Sequence, residues 1–145
     1  LEGELPTSIY RGPLSDGSTG TLWLLWGFPN LMSPTGVINL YADAVQLLRS
    51  VIFDANSCTI GLGDEKREYQ VGPYTGVGTI YSAVNCQGEA DIAGFFTIVQ
   101  VGGGNFAFYA GIEPPASVGT GIPEMQALLQ SVQFDDNIST ITPSP

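Results

Sequence analysis

Apolar residues recur along this chain at two different periods. Ala44, Leu47, Leu48 and Val51 fall at i, i+3, i+4 and i+7, the spacing of one helix face, and predict a helix from about Leu40 to Phe53 with Asn39 as candidate N-cap. Met125, Leu128, Leu129 and Val132 repeat that spacing, and Pro123 then stands in the first turn, where a proline is tolerated. Elsewhere the period is two. Within TLWLLWGFPN, residues 21–30, Trp23 and Leu25 face one way while Leu22, Leu24, Trp26 and Phe28 face the other. Both faces are apolar, as in a central strand covered on both sides. A lead-in strand around Ser8 to Arg11 precedes it, across a turn rich in Gly, Ser and Asp. Further strands are expected over Ser57 to Leu62, Glu68 to Val71, Gly76 to Cys86, Asp91 to Val101 and Asn105 to Ile112, the last three as an antiparallel meander. Phe106, Phe108, Ala110 and Ile112 alternate onto one face of the last strand.

Ten residues occur nearly twice. LLRSVIFDAN, from Leu47, returns as LLQSVQFDDN, from Leu128, with seven identities. The likeness extends upstream, since TLWLLWGFP and NFAFYAGIEP are both apolar strands followed by a loop and then the repeated helix. Duplication of a strand-loop-helix unit is the economical account, and convergence on a common helix ending is the alternative. The identities fall on a buried stripe and an exit cap, which makes them scaffold. Asp54, Asn56, Asp135, Asp136 and Asn137 also supply the oxygens that calcium prefers, so they are the candidate metal ligands. Such a site gathers about six to eight oxygens, and no EF-hand spacing follows either segment.

Length fits one domain, expected over residues 1–139, with the Ser/Thr/Pro segment 140–145 as a tail or linker within a larger chain. Charged residues make up 12% against a usual share of roughly 25%, and the net charge is −10. The four cations, Arg11, Arg49, Lys66 and Arg67, are too few for a phosphate-binding patch, so nucleic acid is not an expected partner. The apolar run LWLLW is far shorter than the roughly 20 residues of a spanning helix, so membrane insertion is not expected either. Cys58 and Cys86 can close one bridge, which would place the chain in an oxidising, extracytoplasmic compartment.

Histidine is absent, which removes Ser-His-Asp and Cys-His chemistry from this chain. The run Gly102 to Gly104 links two strands and opens no helix, so it reads as a hairpin and not as a phosphate cradle. Paired carboxylates could run glycoside hydrolysis, and Glu89 with Asp91 or Glu65 with Glu68 are the available neighbours. They lie in polar turns, where no raised pKa is expected, so no catalytic residue is assigned. Trp23, Trp26, Tyr10, Tyr74, Tyr81 and Tyr109 are the aromatics that could stack on a sugar or peptide; core packing is the better reading for both tryptophans, and Tyr74 in the turn PYTG is the ring most expected at the surface.

From Tyr69 onward the chain runs through the Gly-centred turn YQVGPYTGVG, a long strand to NCQGE, the strands GFFTIVQ and NFAFYAGIEPP, and the helix PEMQALLQSVQF. This half resembles the C-terminal half of extracellular bacterial domains in the PsbP-like group. The resemblance implies an antiparallel sheet covered by helices on both faces and a non-catalytic binding or assembly role. The fold class expected is therefore α+β, a single antiparallel sheet of about six to seven strands in an α/β/α sandwich. The expected function is a secreted or cell-surface module, monomeric or weakly oligomeric, that binds a protein, peptide or glycan without a cofactor. The alternatives are an architectural spacer or assembly domain and, as a minor one, a carboxylate-based hydrolase.

Overall fold

The computed structural model describes residues 7–26, 40–49, 58–86, 90–101, 104–134 and 141–143. Strands β1 (Thr7–Pro13) and β2 (Thr19–Trp26) precede helix α1 (Leu40–Leu47). Strands β3 (Thr59–Leu62), β4 (Arg67–Val71), β5 (Tyr74–Val84), β6 (Ile92–Val101) and β7 (Gly104–Glu113) follow. A 3-10 turn at Pro115–Ser117 then leads into helix α2 (Val118–Gln130), and the short strands β8 (Val132–Phe134) and β9 (Ile141–Pro143) pair with each other. The other seven strands form one antiparallel sheet in the order β1-β2-β7-β6-β5-β3, with β4 on the same edge of β5 as β3. The α+β class expected from the two periodicities is what the chain adopts.

Alternation decides where the side chains go. On β2, Leu22, Leu24 and Trp26 join one apolar cluster, and Trp23 and Leu25 join another, as the period of two requires. On β6 the neighbours Phe95 and Phe96 enter different clusters, and both are fully buried. On β7, Phe106, Phe108, Ala110 and Ile112 share the first cluster, while Ala107 and Tyr109 share the second. Met125 and Leu129 of α2 complete the first cluster, whereas Ala44, Leu47 and the adjoining Leu48 complete the second.

Within the first cluster Tyr69 of β4 stacks on Phe95 of β6, with centroids 4.7 Å apart and planes at 18°. The strand between them, β5, carries Gly76 opposite Tyr69 and Gly78 opposite Thr97, so no side chain separates the rings. Gly72 opens the two-residue turn between β4 and β5 with φ +54°, the conformation a primed hairpin turn asks of its first central residue. Its N–H donates to the carbonyl of Leu129 at 2.9 Å, so the hairpin turn satisfies one of the carbonyls left over at the end of α2. Ser131 satisfies another, its Oγ donating to Leu128 O at 2.7 Å.

Both helices depart from their expected bounds. Helix α1 keeps α geometry only to Leu47, and Leu48 and Arg49 continue in a wider π-type turn. Asn39, Val51 and Phe53 lie outside the described residues. Helix α2 begins at Val118, so Pro123 lies inside it and not in its first turn. The missing proline N–H would have served the carbonyl of Gly119, and Gly119 is exposed, where water can take that bond. The helix also ends earlier, at Gln130, and Val132 lies in β8, where it is still buried with Met125 and Leu129 in the first cluster. Equivalent residues of the doublet differ in environment, Leu47 being buried and Leu128 41% exposed.

Cys58 and Cys86 form a disulfide across the outer ends of the β3–β5 pair, next to the register pair Thr59↔Val84. The bond is the mark of an oxidising compartment. It closes a loop over a separation of 28 residues that contains β3, β4 and β5, a constraint on the unfolded chain of roughly 3 to 4 kcal/mol. Reduction is therefore expected to lower Tm by about 7 to 14 °C. Scanning calorimetry with and without a phosphine reductant checks this. An unchanged Tm in a sample shown by intact mass to be reduced would contradict it.

Candidate functional site

Cover on the first face is uneven across the sheet. Helix α2 packs chiefly on β4, β6 and β7. Beyond it, toward β1, a groove of about 470 Å³ opens between β1, the start of β2 and the outer flank of α2. Its base is apolar, with Leu22 of β2 and Met125 of α2 both buried. Its walls are Tyr10 of β1 and Leu128 of α2, which are 45% and 41% exposed. These are two of the four large hydrophobic side chains exposed among the described residues, the others being Ile9 and Tyr74.

One end of the groove is closed by the turn between β1 and β2. The Leu14 N–H donates to Ser18 O at 2.8 Å and the Gly17 N–H to Leu14 O at 3.0 Å, with Gly17 at φ +90°. Asp16 folds over this turn and accepts from the Ser18 N–H at 2.9 Å and from the Ser18 hydroxyl. The same carboxylate accepts from Thr120 Oγ1 of α2 at 2.7 Å. One helical turn on, Glu124 accepts from Ser15, at 2.7 Å from Oγ and 3.1 Å from the backbone N–H. Two carboxylates thus tie the hairpin to the helix and fix the width of the groove. The Ser18 hydroxyl, then Thr120 and the Ser18 N–H, hold the Asp16 carboxyl well below the usual carboxylate range. Asp16 is therefore held ionised, the reverse of the raised pKa that a general acid needs.

Of the aromatic residues singled out in the sequence, Trp23 and Tyr109 are paired across β2 and β7 within the second cluster, and Trp26 and Tyr74 stand elsewhere. Tyr109 is fully buried and its hydroxyl donates to Ala44 O at 2.7 Å, so it ties β7 to α1 and no ligand reaches it. Trp23 and Trp26 are half-buried and belong to different clusters, hence to opposite faces. Tyr74 is 39% exposed at the start of β5, next to the Gly72-Pro73 turn and across the sheet from the groove. Of the carboxylate pairs, Glu65 and Glu68 are exposed on either side of the start of β4. Asp91 accepts the Asn85 N–H at 3.0 Å, while Glu89 lies outside the described residues. So do the calcium candidates Asp54, Asn56, Asp135, Asp136 and Asn137, and no group of three metal-ligating side chains occurs among the described residues. A smaller cavity, about 370 Å³, gathers Asp64, Glu65 and Arg67 around the β3–β4 connection.

The groove escaped the sequence because Leu128 belongs to the same apolar stripe as Met125 and Leu129, and spacing alone cannot say where the sheet beneath ends. Tyr10 gave a weak signal, being an aromatic beside Ile9 on a strand that opens the chain's first hairpin. Comparison with protein-family models, with curated proteins and with solved structures finds no match to this chain.

Protonation of Asp16 should loosen the hairpin from α2. Its folded pKa lies below the ordinary value of 3.8, so the stabilisation is complete above that value and is lost as pH falls toward the depressed one. The variant Asp16→Asn is expected to melt below the wild type at neutral pH, and the gap should narrow as pH is lowered from about 4 toward 2. A gap that stays constant over that range would contradict the assignment.

Proposed function

We propose that this chain is a non-catalytic binding module of the extracytoplasmic space that takes its ligand in the groove between β1 and α2. The observation that carries the reading is the pair of exposed apolar walls, Tyr10 and Leu128, over the buried base of Leu22 and Met125. An apolar cleft rimmed by a few fixed polar groups is the usual form of a ligand site, and exposed aromatic walls are the usual anchors. The architecture we infer is an α/β/α sandwich, supported by apolar clusters on both faces of β2, β6 and β7 that include residues of α2 on one side and α1 on the other. We also propose the PsbP-like relationship, resting on the order of strands and helix from Tyr69 onward. The second of the repeated LLxSVxFD segments brings Leu128 and Ser131 to the lining of the groove. Secretion is proposed in the same sense, and the Cys58–Cys86 bridge supports it.

Selection of binders from displayed peptide libraries and a glycan array tests the reading, with the double variant Tyr10→Ala, Leu128→Ser as comparison. Both side chains are exposed, so stability should hold within about 0.5 kcal/mol, as is typical of surface changes. Binders selected on the wild type should weaken by roughly 30-fold or more on the variant, as at an interface anchor. Binders indifferent to both substitutions would contradict a site in this groove.

A further inference from the structure

The two edges of the main sheet are built differently. On the β5 side the edge is split into β3 and β4, four and five residues long, and β4 exposes Arg67, Glu68 and Gln70. Shortness and charge are the usual protection of an edge against further pairing. On the other side β1 runs for seven residues, paired with β2 from Thr7↔Leu25 to Pro13↔Thr19, and has no second strand neighbour among the described residues. It carries no acidic residue, and its one charge, Arg11, is matched by Glu113 at 3.7 Å. Its proline is the last residue, and Ile9 and Tyr10 are 60% and 45% exposed. Among the described residues this edge is longer and less charged than the far one.

The open edge and the groove adjoin. Tyr10 pairs with Leu22, so its side chain lies on the α2 side of the sheet, in the groove wall. A strand laid along β1 would bond through its backbone to the outward N–H and C=O groups. Its alternate side chains would point to the α2 side, beside Tyr10 and toward Leu128. We propose that β1 takes up an extended, cationic or neutral peptide as an added strand, with every second side chain apolar and entering the groove. This rests on the groove being the binding site and names its partner class. Backbone pairing demands an extended chain, and the net charge of −10 selects against an acidic one. A second copy of this chain carries the same charge and would be repelled.

The probe is a peptide of about eight residues alternating lysine with valine or leucine, capped at both ends. Its affinity is measured by calorimetry on the intact protein. Two methylated forms, with N-methyl groups on the odd or on the even amides, separate backbone pairing from side-chain contact. One methylated form should bind about tenfold or more weakly while the other binds like the parent, because only one set of amides faces β1. Replacing the lysines with glutamates should weaken binding, and Leu128→Ser should weaken the parent peptide. No binding of the parent at millimolar concentration would overturn the proposal. Equal affinity of the two methylated forms, with Leu128→Ser still weakening the parent, would overturn strand addition and leave the groove standing as a site. Self-association in sedimentation that Ile9→Lys abolishes would also overturn the proposal, by assigning the edge to a second copy.

Discussion

Strands β6 and β7 carry large apolar side chains on both faces, and water must be kept from both at once. Phe95 and Phe96 are adjacent in sequence and fully buried on opposite sides, as are Phe108 and Tyr109. Burying each such side chain contributes roughly 1.5 to 3 kcal/mol, so neither face can be left to solvent. The chain meets this constraint with Met125 and Leu129 on one side and with Ala44, Leu47 and Leu48 on the other. Tyr109 adds a polar tie to the second side through its hydrogen bond to Ala44. A single helix does not span seven strands, however. Because α2 is centred on β4, β6 and β7, cover thins toward β1, and the groove is the remainder.

The two flanks of the sheet are secured by different chemistry. The β3–β4 flank is cross-linked to the end of β5 by the Cys58–Cys86 disulfide and to α2 by the Gly72 N–H. The β1 flank is held by carboxylates, with Asp16 and Glu124 joining the first hairpin to α2 across 104 and 109 residues of sequence. Covalent closure suits an edge that has no further strand partner among the described residues. These hydrogen bonds lie at one end of the apolar groove and set its width.

Much of the fold was legible because alternation is a local property. The opposite facing of Trp23 with Leu25 and of Leu22 with Leu24 and Trp26 follows from strand geometry alone, and the structure has it so. The cysteine pair was legible because two thiols near the ends of neighbouring strands have one way to pair. Helix bounds were less so: Pro123 reads as a helix start, yet the helix begins at Val118, with the exposed Gly119 standing where the proline leaves a carbonyl unbonded. Tyr109 shows the limit most clearly. Alternation fixes which face a ring is on, but only the arrival of α1 decides that the face is buried. For the same reason Leu128 looked like core, since its exposure depends on which strands lie under α2.

The sheet is buried on both sides along β6 and β7, and β1 has no second strand partner among the described residues. Native-state hydrogen exchange resolved to single amides measures that directly. Amides of β6 and β7 should exchange only on global unfolding. Along β1 protection should alternate, with the amides that bond to β2 protected and those between them exchanging nearly as fast as in an unstructured chain. Uniform protection along β1, at the level of β6, would contradict an open edge.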